Sequence, residues 1–189
     1  MKSVLESNGM MSFYVDEPAC NFPFVYKRLF QQLIDNFNGK SFEDIKDDSS
    51  KLRTYALFKT ETGMEDYLQW IKNFRIRSQV TKLRLSNHHL AIETGRHKLP
   101  KVPREERFCV FCPNHVEDEY HFLFKCSALD QLRRRLLDPM TSKISGFQYF
   151  PKDIKLKTIF SDFDFATAKY IADGMELRNF LASKPRKVD

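Results

Sequence analysis

Hydrophobic residues along this chain recur at helical spacing far more than in alternation. Phe24, Leu29, Phe30, Leu33, Ile34 and Phe37 form the first stripe. Asn21 can cap it, Pro23 suits its first turn, and Asn38-Gly39 stops it. Residues 41–50 are polar and acidic and read as a short helix and loop. Leu52, Tyr55, Ala56 and Phe58 make a second stripe behind Ser49-Ser50, and Tyr67, Leu68 and Ile71 a third after the Gly63 break. Over 73–85, Ile76, Val80 and Leu83 share a face, leaving Arg75, Arg77, Lys82 and Arg84 on the remaining surface. The last long helix is expected over 164–181, with Phe165, Ala168, Ile171, Ala172, Met175, Leu177 and Phe180 as its apolar side.

The pattern is less regular between these stripes. Residues 90–93 fit a short helix or an extended piece, and 98–103, KLPKVP, read as a proline-marked linker. Residues 116–124 have an ambiguous period, though Glu117, Asp118 and Glu119 suit a first helical turn. A basic helix follows over 128–137, with Leu129, Leu132, Leu136 and Leu137 inward, Arg133, Arg134 and Arg135 beside them, and Asp138-Pro139 as its end. Residues 140–150 read as a loop, 154–160 are again periodic, and the tail from Lys184 reads as disordered. The expected fold is mainly α, a helical domain with a small zinc-knuckle segment. Its segments are 1–50, a basic helical part 51–104, the knuckle and following helix 105–137, a C-terminal helical part 138–183, and a basic tail 184–189.

Composition agrees with helices. Gly is scarce at 6 residues while Phe reaches 18, enough for a core without a turn-rich architecture. A net charge of +6 permits a phosphate-bearing partner without requiring one. The first nine residues lack the apolar run of a signal peptide, and no stretch is long and apolar enough to span a membrane. The expected setting is intracellular, nuclear or cytoplasmic, where thiols stay reduced.

Three of the 4 cysteines lie within 109–126, which makes metal ligation the reading for them; Cys20 reads as a small buried apolar residue. Cys109 and Cys112 are spaced to grip one ion from a tight turn, and His121 and Cys126 can complete a tetrahedron. Three sulfurs and one imidazole suit Zn²⁺, and four protein ligands leave no open position for a reacting water. His115 is the alternative nitrogen ligand, although it sits in the turn Pro113-Asn114-His115. Of Glu117, Asp118 and Glu119, one can orient the His121 ring, while at least two are expected on a solvated acidic face.

Cations are dense between the second stripe and the knuckle. Arg75, Arg77, Lys82, Arg84, Arg96, Lys98 and Lys101 are the candidate phosphate contacts, and Tyr55, Phe74 and Phe108 the candidate base-stacking rings. Catalytic motifs are missing. Phe13-Tyr14-Val15-Asp16-Glu17 only faintly echoes a polymerase carboxylate box, with Glu17 and Pro18 where a second Asp and a strand are needed. There is no Gly-rich phosphate loop and no GxSxG, and His88-His89 reads as a surface or packing pair.

Taken in order, KLRTYALFK at 51–59, EDYL at 65–68, LRLSNHHLAIETGRH at 83–97, REERFCVFC at 104–112 and VEDEYHFLFKC at 116–126 resemble the C-terminal region of non-LTR retrotransposon reverse transcriptases. KYIADGMELRNFL at 169–181 resembles the end of those reading frames. The resemblance implies a helical segment leading into a CCHC zinc module, with Cys109, Cys112, His121 and Cys126 as ligands. It implies contact with template RNA or target DNA, and no polymerase, endonuclease or small-molecule chemistry in this chain. The alternative expectation is a domesticated or truncated fragment acting as a protein-interaction scaffold.

Overall fold

A computed structural model describes residues 27, 28, 30, 31, 35, 39, 52, 54–59, 63–161 and 164–184. The chain forms two compact units, Met1–Ser50 and Lys51–Asp189. In the first, every described residue is helical, and Gln31 Nε2 donates to Asp35 Oδ1 at 2.9 Å, one turn along. Most of the first stripe, the 41–50 segment, Cys20, the 13–17 box and the tail beyond Lys184 lie outside the described residues.

The second unit is built of helices, with no strand among the described residues. They are α1 (Tyr67–Trp70), α2 (Phe74–Arg84), α3 (Ala91–Thr94), α4 (Glu119–Phe124), α5 (Asp130–Leu136), α6 (Asp138–Thr141), α7 (Lys152–Ser161) and α8 (Phe165–Ser183). Short 3-10 turns at Tyr55–Leu57, Gly95–His97, Arg104–Glu106, Ser127–Leu129 and Phe147–Tyr149 join or precede them. No helix of the described residues is long and apolar enough to cross a membrane.

Side-chain caps set three helix starts. Asn73 accepts from the Ile76 amide at 3.2 Å, Asp118 from His121 at 2.8 Å, and Asp164 from Thr167 at 2.8 Å. Each relieves an amide that has no partner within its own first turn. The cap at Asp118 settles the ambiguous 116–124 stretch. Val116 makes a single antiparallel bridge to Phe108, and the helix begins only at Glu119.

α8 packs along α2 and α5. Its Ala168, Tyr170, Ile171, Ala172, Gly174 and Met175 are buried, together with Ile76, Val80 and Leu83 of α2. Gly174 faces α4, since a Cβ built there would stand 3.2 Å from the Phe122 ring. The expected apolar side of α8 is trimmed at both ends. Phe165 and Phe180 are exposed, while the polar Thr167 and Arg178 are buried.

Two further expectations change. α5 does end just before Asp138-Pro139, at Leu136, but the pair also opens α6, because a proline in the first turn lacks only an amide that would go unbonded there. Residues 147–149 form a 3-10 turn entered through Gly146 at φ 72°, a left-handed conformation that favours glycine.

Candidate metal centre

The four expected ligands converge. One donor atom each from Cys109, Cys112, His121 and Cys126 lies within 4.8 Å of all the others. Local backbone explains how. The bridge between Phe108 and Val116 folds the chain back, and the Cys109 amide donates to the His115 carbonyl at 2.8 Å. Asn114 takes φ 64° inside that turn. α4 then carries His121 in, and the chain leaving it delivers Cys126 at the start of the Ser127–Leu129 turn.

Three observations fit an ion here. A tetrahedral Zn²⁺ with ordinary sulfur bonds separates two sulfurs by about 3.8 Å, and the Cys109 and Cys126 sulfurs stand 3.9 Å apart. His121 is buried, and its Nε2 has no hydrogen-bond partner among the described residues. Backbone amides also point at sulfur: Phe111 N donates to Cys109 Sγ at 3.4 Å and Ser127 N to Cys112 Sγ at 3.3 Å. Such donors favour the thiolate that a metal requires. The Cys109 thiol is pushed up to about 12 by its hydrogen bond with Cys126 and by burial. The Cys126 thiol is held down by that same bond, against its own burial. The hydrogen bond between the two sulfurs thus acts in opposite directions on the two thiols.

His115 is exposed, and its Nδ1 lies 3.0 Å from the Pro113 carbonyl, within the turn. Its ring stands 5.9 Å from that of His121, but it is outside the ligand cluster.

The acidic run does not form a solvated face, contrary to expectation. Glu117 and Glu119 are buried and Asp118 is partly so, because partners from distant segments surround them. Glu117 accepts from Arg178 Nε at 2.9 Å and Nη2 at 2.7 Å, and its Oε2 also takes the Ala91 amide at 2.7 Å. Asp118 caps α4 and pairs with Lys152 at 2.6 Å. Glu119 lies 3.0 Å from His88 Nε2. The Leu90 amide donates to His88 Nδ1, which assigns the ring proton to Nε2 and makes it the donor to Glu119. His88 is thus a buried packing residue, and His89 is exposed.

Side chains far from the knuckle hold the end of α4. Tyr170 of α8 donates its hydroxyl to the Phe122 carbonyl at 2.9 Å and to that of Leu123 at 3.2 Å. Arg133 of α5 is buried, donates from Nε to Leu123 O at 2.9 Å, and reaches Cys126 O through Nη2. Sequence periodicity set Arg133 beside the apolar positions rather than among them. The carbonyls it serves explain its burial, since a helix leaves its last carbonyls unbonded. The only signal in the sequence was its place one turn from Leu129 and Leu136-Leu137.

The candidate phosphate contacts separate into groups. Arg84 is not a surface residue. Its guanidinium lies 4.1 Å from the Phe58 ring centroid and 5.0 Å from that of Tyr67, and it bonds Glu65 and the Phe160 carbonyl. A pocket of rings with one carboxylate suits a planar cation, so Arg84 is 2% exposed. Arg75 is exposed, yet pairs with Asp173 at 2.9 Å and Glu176 at 2.8 Å on α8. Arg77 is half-buried and donates to the Ile71 carbonyl at 3.2 Å, and Arg96 reaches Glu93 at 3.4 Å. Lys82 is half-buried, and Lys98 and Lys101 are exposed. Of the candidate rings, Phe74 and Phe108 are exposed, and Tyr55 is packed edge-on against Phe58.

No family model, curated protein or solved structure matches this chain.

Proposed function

We propose that this chain is a zinc-stabilised, nucleic-acid-binding accessory module without catalytic activity of its own. The observation that carries the reading is the convergence of Cys109, Cys112, His121 and Cys126 beneath a buried clamp from α5 and α8. Zn²⁺ bound there would cross-link the 109–126 segment and supply folding energy. Three thiolates against one divalent ion leave a net negative charge, which the Arg133 guanidinium on Cys126 O offsets. With four protein ligands the ion keeps no site for substrate.

The zinc region then serves as a brace, and cations on the neighbouring surface meet phosphates. Lys98 and Lys101 in the exposed linker, with Lys82 and Arg77 on α2, are the remaining candidates. Arg84 drops out, and Arg75 contributes only if its carboxylate partners release it. The resemblance to the C-terminal region of non-LTR retrotransposon reverse transcriptases supports the same reading, with template RNA or target DNA as the ligand.

The test is a salt titration of binding to labelled single-stranded RNA, single-stranded DNA and duplex DNA, with and without chelator. Binding at low salt that weakens steeply as salt rises is the expected result. Absence of binding at low salt with metal present, or protein purified without zinc, would overturn the proposal.

A further inference from the structure

α5 and α8 leave an open cleft between them, about 480 Å³ in volume. Ala128, Leu132 and Leu177 are half-buried and give it an apolar floor, while Gln131, Arg134 and Arg135 are exposed and edge it. The three apolar side chains pack on the core with one side and keep part of their surface in the cleft. Leu132 brings α5 down onto α8 at a residue without a side chain, since a Cβ built at Gly174 would stand 3.7 Å from its Cδ2. The walls are two packed helices, so an occupant has little loop ordering to offset.

Charge narrows the occupant. Both charged residues of the lining are arginines, and no acid belongs to it. Two acids stand close by. Asp130 holds Arg133 at 3.3 Å and Arg134 at 2.8 Å, and Asp138 opens α6 beyond the end of α5. Arg134 is exposed, and an exposed pair within one helix contributes little, so it yields to an incoming carboxylate. Arg135 is exposed and has no ion pair among the described residues. On the α8 side, Asp173 and Glu176 pair with Arg75 of α2.

Shape narrows it further. The described residues hold no strand, so they offer no sheet edge to an extended peptide. The lining contains no aromatic ring on which a base could stack. Phe180, one turn beyond Leu177 on α8, carries Lys184 4.4 Å from its ring centroid. An aliphatic floor between two helices suits the apolar stripe of a third helix, and arginine forks suit carboxylates beside that stripe. α5 has 7 residues, which sets the contact at about 10 Å, or two turns of the incoming helix.

We infer that this cleft docks a short acidic amphipathic helix of a partner protein. Its apolar residues meet Leu132 and Leu177, and its carboxylates meet Arg134 and Arg135. The inference does not rest on the nucleic-acid reading, so either can fail alone.

The test uses the zinc-loaded full chain and a fluorescein-labelled peptide of about 15 residues, with Leu repeating at helical spacing and Glu on both flanks. Two control peptides carry Lys in place of Glu, or Gln in place of Leu. Anisotropy should show the Glu peptide binding in the micromolar range, and amide hydrogen exchange should slow over 128–136 and around Leu177. The double variant Arg134→Glu with Arg135→Glu should keep its melting curve, weaken the Glu peptide roughly tenfold or more, and turn preference to the Lys peptide. No binding of the Glu peptide, equal binding of either control, or unchanged affinity in the double variant would overturn the inference. Oligo(dT) that displaces the peptide and itself loses affinity in the double variant would assign the surface to nucleic acid, and would overturn it too.

Discussion

The Tyr170 hydroxyl donates to the carbonyl oxygen of Phe122 at 2.9 Å, from the middle of α8 to the last turn of α4. Burial pushes the Tyr170 phenol well above its ordinary value, so it remains a donor at any physiological pH. Replacing it by phenylalanine keeps the ring but strips a donor from two buried carbonyls. Tyr170→Phe should cost about 1–3 kcal/mol in urea unfolding. A cost near zero would show that α4 is held by Arg133 alone.

Zinc should copurify stoichiometrically with the chain, and chelation should lower its thermal midpoint. Cys109→Ser and His121→Ala should both abolish retention, whereas His115→Ala should leave metal content and stability unchanged. Elemental analysis beside a melting curve decides it. The cysteine ligands must lose their protons to bind, so affinity should rise with pH and zinc should be lost on acidification.

Arg178→Ala would leave the Glu117 carboxylate buried without its bidentate partner. The expected cost is about 3–5 kcal/mol. Combining it as Glu117→Gln with Arg178→Met removes both charges and should restore part of that loss. If the double variant is as unstable as the single one, packing rather than charge explains the site.

Arg84→Ala should destabilise by roughly 3 kcal/mol, because it strips the ring pocket and frees one oxygen of Glu65. Salt-dependent binding by the folded fraction should be unaltered. A variant that is stable but binds strands poorly would return Arg84 to the surface set.

Acid should weaken the unit through Glu65 and Asp173. Burial raises both carboxyls, but Lys59 and Arg84 around Glu65, and Lys169 and Arg75 around Asp173, outweigh it and hold them below 4.5 and 3.8. Folded values below unfolded ones mean the contribution is present above those pH values and disappears as pH falls through the depressed ones. At the other end, burial and the Glu65 charge push Tyr55 up to about 12. Its contribution is intact below 10 and disappears as pH rises through about 12. Midpoints that stay flat from neutral pH down to the acid range would sink the carboxylate argument.

How much of this was legible in the sequence depended on distance along the chain. The faces of α2 and α8 read correctly at Ile76, Val80, Leu83, Ala168, Ile171, Ala172 and Met175, because a stripe is a local property. The convergence of Cys109, Cys112, His121 and Cys126 was legible because its members lie within one short segment. Arg84 was misplaced because Phe58, Phe160 and Glu65, which bury it, come from three separate parts of the chain. The acidic run was misplaced for the same reason, its partners being Arg178, Ala91 and His88. Helices of four residues such as α3 and α6 carry too little periodicity to announce themselves.

The clamp on α4 bears on how this protein can be dissected. A peptide cut to 105–137 would keep every metal ligand and Arg133, yet lose Tyr170 and Arg178, the donors to Phe122 and Glu117. Its four close-set side chains would then lose the supports that fix their geometry. The knuckle here is therefore not a transplantable cassette, and grafts meant to carry its structure must bring α8 with them.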